Sequence, residues 1–248
     1  MPSPKLYYAY GIVETPPSTP PDSLTGDSGR ELIPITYKDI TLIAGIISDF
    51  TYTPTPENAR SHSQTVTRLG EQFNVIPLRF GTVFKEEEEA VQMLASRYQE
   101  IKRIFSQIRN RIELGLKVIW KKECLAAELE SRYPELARIK EEIQALPPES
   151  AYHSAILLGQ RVEEAVLELR SIYTPQILEP LEKTAVNTRL NKPLNERMVL
   201  NAAFLVEKEK ELLFDEQVNA LYERFRERFD FKYSGPWPPY NFVDLESD

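Results

Sequence analysis

Between residues 86 and 113 apolar side chains recur at alternating steps of three and four: Val91, Leu94, Tyr98, Ile101, Phe105, Ile108 and Ile112. That spacing returns to one side of a helix, so it predicts a single helix with one apolar stripe. The four glutamates at 86–89 open it, where carboxylates favour the positive end of the helix dipole. The stripe has two readings, a coiled-coil seam or one domain's own core. Only one helix in the chain is this regular, which favours the core. On either side of it the period drops towards two, so the chain reads as α+β.

Before this helix, residues 6–13 are aromatic and β-branched, as a buried strand requires. Residues 15–30 are rich in proline and serine and read as a mobile loop. Residues 32–37 and 41–48 suit a hairpin turning at Lys38-Asp39. A helix is expected over 56–73, with Pro56 near its first position and Asn74 as its cap. Residues 75–84 return to extended chain, turned by Gly81.

After it, Leu116, Val118 and Trp120 give a strand. Helical sequence follows over 123–146, broken near Pro134. Another helix is expected from an N-cap at Ser150, with Ala155, Leu158, Val162, Ala165, Leu169 and Ile172 on one face, kinked or restarted at Pro175 and Pro180. Val186, Thr188 and Leu190 form a strand, and 198–206, apolar on both faces, a central one. A helix over 209–228 buries Phe214, Val218, Leu221 and Phe225. Phe229, Phe231 and Tyr233 give the last strand, and 235–240 a stiff aromatic tail. The expected fold is α+β with two domains. Residues 1–112 form a small mixed sheet with helices. Residues 113–248 form a ferredoxin-like domain with a helical insertion and the tail.

The formal net charge of −8 argues against a broad basic footprint for nucleic acid. No apolar run approaches the roughly 20 residues that span a bilayer. The single cysteine, Cys124, forms no intramolecular disulfide, in keeping with a reducing cytoplasm. A soluble, cytoplasmic chain is expected.

No residue set stands out as catalytic, metal-binding or cofactor-binding. His62 and His153 have no Cys or His partner at ligand spacing. Glu57 near His62 suits a surface helix contact better than an acid–base pair. Cys124 follows two lysines but lacks a base, so it reads as a half-buried small residue. Arg79 lies in an apolar run and needs a partner; Glu113 is the candidate, as a buried ion pair more than an anion contact. Gly81 alone makes no phosphate loop. Trp237 and Tyr240 either form a partner-binding patch or lock the tail onto its domain.

Several segments together resemble the gas vesicle protein family of GvpF and GvpL. They are Tyr8-Ala9-Tyr10-Gly11-Ile12, His62, Pro77-Leu78-Arg79-Phe80-Gly81-Thr82-Val83 and Glu113-Leu114-Gly115-Leu116-Lys117-Val118, then residues 200–206 and 235–242. The chain's length and tail are more like the F-type. The resemblance implies a minor gas vesicle component or assembly factor with no enzymatic activity and no cofactor. Its implied partner is the small hydrophobic wall subunit GvpA, with other accessory gas vesicle proteins beside it, and neither nucleic acid nor membrane. The competing reading is a small-molecule-binding protein or enzyme using a domain-junction cleft.

Overall fold

The computed structural model describes residues 5–14, 31–47 and 54–245, with the side chains of 148–150 set aside. The loop expected over 15–30 lies outside the described residues. The chain divides into two compact units, one of residues 1–113 with 236–248 and one of residues 114–235. The terminal segment therefore belongs with the N-terminal unit, and not with the C-terminal half in which sequence order placed it.

The N-terminal unit is built on β1 (Leu6–Glu14), the hairpin β2 (Leu32–Tyr37) and β3 (Ile40–Ile47), and the short strands β4 (Val75–Pro77) and β5 (Val83–Phe84). The order is β2-β3-β1-β4, with β5 also on β1. The sequence led to an expected mixed sheet, but every one of these pairings is antiparallel. Helix α1 (Pro56–Gln72) does join two strands of like direction, β3 and β4, but β1 lies between them.

β1 is buried almost throughout because both sheet faces are covered. Its register slips between Ala9 and Gly11, leaving Tyr10 as an extra residue. Before the slip Leu6, Tyr8 and Tyr10 join the cluster that holds Val66 and Leu69 of α1. After it the parity switches, and Val13 joins that cluster while Ile12 faces the opposite one. Gly11 is required here, because a Cβ would sit 2.8 Å from Val75 Cγ2 and 3.0 Å from the Ile76 carbonyl.

The helix expected over 86–113 is instead two helices and the start of a strand. Helix α2 (Glu87–Ser96) ends at Arg97 (φ −105°, ψ 12°), and α3 (Tyr98–Ile108) starts afresh. Asn110 then takes a left-handed conformation (φ 57°), which asparagine tolerates better than most residues. It turns the chain into β6 (Arg111–Trp120), so Ile112 is a strand residue. Leu94, Ile101, Phe105 and Ile108 are buried in the unit's own core, with Val91 and Tyr98 packed against it.

Helix α1 starts as its sequence asks. Pro56 takes the first turn, and Thr55 Oγ1 accepts the Asn58 N–H at 3.1 Å. Its C-cap is Phe73; Asn74 instead accepts the Asn110 N–H through Oδ1.

The second unit takes β6 onward through α4 (Lys122–Arg132), α5 (Pro134–Gln144), α6 (Pro148–Glu182), β7 (Asn187–Leu190), β8 (Met198–Glu207), α7 (Glu211–Phe225) and β9 (Phe229–Trp237). The order is β7-β8-β6-β9, a split βαβ arrangement with β8 between the first two strands. Trp120, Tyr173, Phe229, Phe204 and Phe214 fill its interior, Phe229 sitting 5.6 Å from Trp120 and 5.2 Å from Tyr173 between ring centres. Helix α6 starts at Pro148 with Pro147 as N-cap, three residues before the expected Ser150 cap, because proline at the first turn forfeits no bond. It runs through Pro175 and Pro180. It buries Ala165, Val166, Leu169, Tyr173, Ile177 and Leu181, while Ala155 and Ile172 stay exposed.

Candidate functional site

His62 is buried, not on the surface, and Tyr8 rather than Glu57 is its partner. The helical spacing of His62, Thr65, Val66 and Leu69 turns it towards the sheet. Its Nε2 lies 3.1 Å from the Leu78 carbonyl, which can only accept, so Nε2 carries the proton. Nδ1 then accepts from the Tyr8 hydroxyl at 2.8 Å. That hydroxyl in turn receives the Gly81 N–H at 3.4 Å, with Gly81 at φ 89°. The imidazole stacks on Tyr10 (5.4 Å) and meets Phe80 edge-on (5.7 Å). Burial holds its pKa below the ordinary histidine value, against the bond to Leu78. The backbone closes the same knot, Leu78 N–H donating to Tyr10 O and Ala9 N–H to Thr82 O. Residues 78–82 thus lace helix α1 and the bulge of β1 together. They are a structural closure, with no ligand-facing donor array.

Arg79, within that segment, is exposed, and its expected pairing with Glu113 is absent. Glu113 is buried, and both its oxygens are taken by Asn241: Oε2 accepts the backbone N–H at 2.7 Å and Oε1 the Nδ2 amide at 2.6 Å. An asparagine 128 positions away could not be singled out from local pattern. Burial raises the Glu113 pKa, opposed by the two Asn241 donors. Around this clamp Pro238, Pro239 and Phe242 are buried, and Val243 and Leu245 pack on the core. The tail is therefore locked down, and Pro238 lies against Gly70 of α1. Trp237 remains 41% exposed and Tyr240 37%, Trp237 lining a groove of about 500 Å³ along Arg60, Gln64 and Arg68.

In the second unit Glu128, Arg132, Glu227 and Arg228 line, with Cys124, an open pocket of about 510 Å³, in which Glu128 pairs with both arginines. Glu128 accepts from the Tyr173 hydroxyl (2.5 Å), from Arg132 (3.2 Å) and from Arg228 (3.3 Å). Cys124 is half-buried and donates to the Glu227 carbonyl. In the acidic run, Glu89 reaches back to accept the Lys85 N–H, a helix-start contact. Among the described residues no group of three His, Cys, Asp or Glu can hold a metal ion, and no helix is long and apolar enough to cross a membrane.

The second unit also has open surface along its helical insertion, part of it apolar. Helix α5 buries no residue completely. A groove of about 460 Å³ runs between α4, α5 and α6 over Leu129, Leu136, Ala137, Leu158 and Val162. Another of about 430 Å³ follows the other side of α5, past Ile139 and Ala165, with Glu135, Arg161, Glu164 and Glu168 along it. Nearby Leu146, Tyr152, Ile156 and Leu157 are exposed, Tyr152 by 73%. The sequence marked Leu158 and Val162 as one buried face; their partial exposure depends on how few helices share the insertion.

This geometry is that of a two-unit α+β protein built on two antiparallel sheets, with a helical insertion in the second unit. Residues 6–244 match the model of the family described as gas vesicle synthesis protein GvpL/GvpF, and the chain belongs to that family. Gas vesicle protein F of Nostoc sp. is 27% identical over 174 residues, covering 69% of this chain and 70% of that protein. Gas vesicle protein F of Dolichospermum flosaquae is 24% identical over 97% of this chain and 98% of its own length. The crystal structure of GvpF from Anabaena sp. superposes with a TM-score of 0.82 at 25% identity, over 99% of this chain and all of that one. The fold is also that of GvpF from Microcystis aeruginosa, with a TM-score of 0.77 at 24% identity over 98% and 100%. Family membership associates the chain with gas vesicles.

Proposed function

We propose that this protein binds the small hydrophobic wall subunit of the gas vesicle and supports assembly, by nucleating ordered addition or by preventing aggregation. The supporting observation is the exposed apolar surface of the helical insertion, with Tyr152, Ile156 and Leu157 outward and the apolar side chains of α5 only half-buried. Contiguous exposed apolar surface marks an interaction site more often than a free one. A wall monomer before assembly presents apolar surface and strand edges, both of which aggregate. A partner offering apolar helix surface shields them reversibly.

The test is saturable binding of the purified protein to the wall subunit GvpA, with light scattering to follow aggregation and an unrelated hydrophobic protein as control. Tyr152→Asp with Ile156→Glu lies on exposed positions and is expected to keep the melting temperature while weakening binding at least about tenfold. Absence of binding by the folded wild type overturns the proposal.

A further inference from the structure

Resting on that reading, we propose that the groove between α4, α5 and α6 receives a single amphipathic helix of the wall subunit, one that carries basic residues beside its apolar stripe. An amphipathic helix in a folded unit ordinarily seals its apolar face against neighbours. Helix α5 does not: Leu136, Ile139 and Ile143 are only half-buried, with a groove on each side. The floor over Leu129, Leu136, Ala137, Leu158 and Val162 is supplied by three helices, which is the setting for a helix laid into a groove.

Charge selects the occupant. Glu130 and Glu141 rim the first groove with Lys140, and Glu135, Glu164 and Glu168 rim the second with Arg161. Residues 122–168 hold ten acidic and five basic side chains. This surface attracts a cationic helix and repels an anionic one. It also disfavours a second copy of this chain docking through the same acidic insertion.

The experiment uses the full chain and two synthetic amphipathic helices, one of leucine and lysine and its twin with glutamate for lysine. Binding is read by fluorescence anisotropy, and each peptide is then added to the complex with the wall subunit. The lysine peptide is expected to bind saturably, at least about tenfold tighter than its twin, to weaken as salt rises, and to displace the wall subunit. Glu130→Lys with Glu141→Lys, both exposed, should invert the peptide preference at unchanged far-UV circular dichroism and melting temperature. Ala137→Trp, which fills the groove, should abolish displacement. Wall-subunit binding that the lysine peptide cannot displace overturns this inference and leaves the assembly role standing. A lysine peptide that binds while the wall subunit does not overturns both. Equal binding of the twins, or a dimer of this chain that the peptide dissolves, overturns the cationic helix as occupant.

Discussion

At the residue scale, His62 and Glu113, both buried in the N-terminal unit, work against each other. His62 is held neutral, so the unfolded chain takes up a proton that the folded one refuses. Its contribution is complete above the unfolded value of about 6.5 and is lost as pH falls through the lowered folded value. Denaturant midpoints measured downward from pH 8 should fall below about 6.5 in the wild type, and less in His62→Phe, once carboxylate effects common to both are subtracted. Glu113 has the opposite sign. Its raised pKa means a contribution complete below its unfolded value of about 4.5 and lost as pH rises through the folded one. Asn241→Ala strips a side-chain donor from that buried carboxylate and is expected to cost about 1.5–3 kcal/mol at neutral pH, read from urea unfolding. Tyr8→Phe should cost about 1–3 kcal/mol, since it leaves His62 Nδ1 buried without its donor.

At the element scale, the stripe from Val91 to Ile108 is one domain's core, and its most buried ring decides the test. Phe105→Ala should destabilise the chain by about 3–5 kcal/mol in chemical unfolding. A coiled-coil residue would instead change the oligomeric state seen by light scattering. Most elements were legible where period and breaker agreed: the hairpin at Lys38-Asp39, the break at Pro134, the buried face Phe214, Val218, Leu221 and Phe225 of α7. The split at Arg97 was not legible, because its flanks keep a helical spacing and only the backbone dihedrals depart from it. The change to strand at Arg111 was equally hidden, since Ile112 satisfies a period of seven and a period of two. The resemblance segment at 77–83 was visible as a motif, but its work, closing over Tyr8 and His62, depends on a bulge at Tyr10 that alternation alone does not reveal. The helical insertion was legible as helices. Its incomplete burial was not, because apolar periodicity says which face wants cover and never whether cover arrives.

At the scale of the whole molecule, the chain leaves the N-terminal unit at Leu114 and returns to it at Pro236, so that unit is closed by residues far apart in sequence. The segment 236–248 supplies Phe242 and Val243 to its interior and Asn241 to Glu113. Cutting the chain after Gly235 therefore removes core, not a docking tail. The truncated protein is expected to lose the cooperative unfolding of the N-terminal unit, with hydrogen-exchange protection collapsing in β1 and α1 but persisting in β8. Trp237→Ala, by contrast, changes a half-exposed ring on the α1 groove and should shift stability by no more than about 1 kcal/mol. Any loss of wall-subunit binding in that variant is then a surface effect, whereas the same loss on truncation reports only unfolding. Full protection of β1 in the truncated chain would show that the terminal segment is dispensable to the unit that its contacts close.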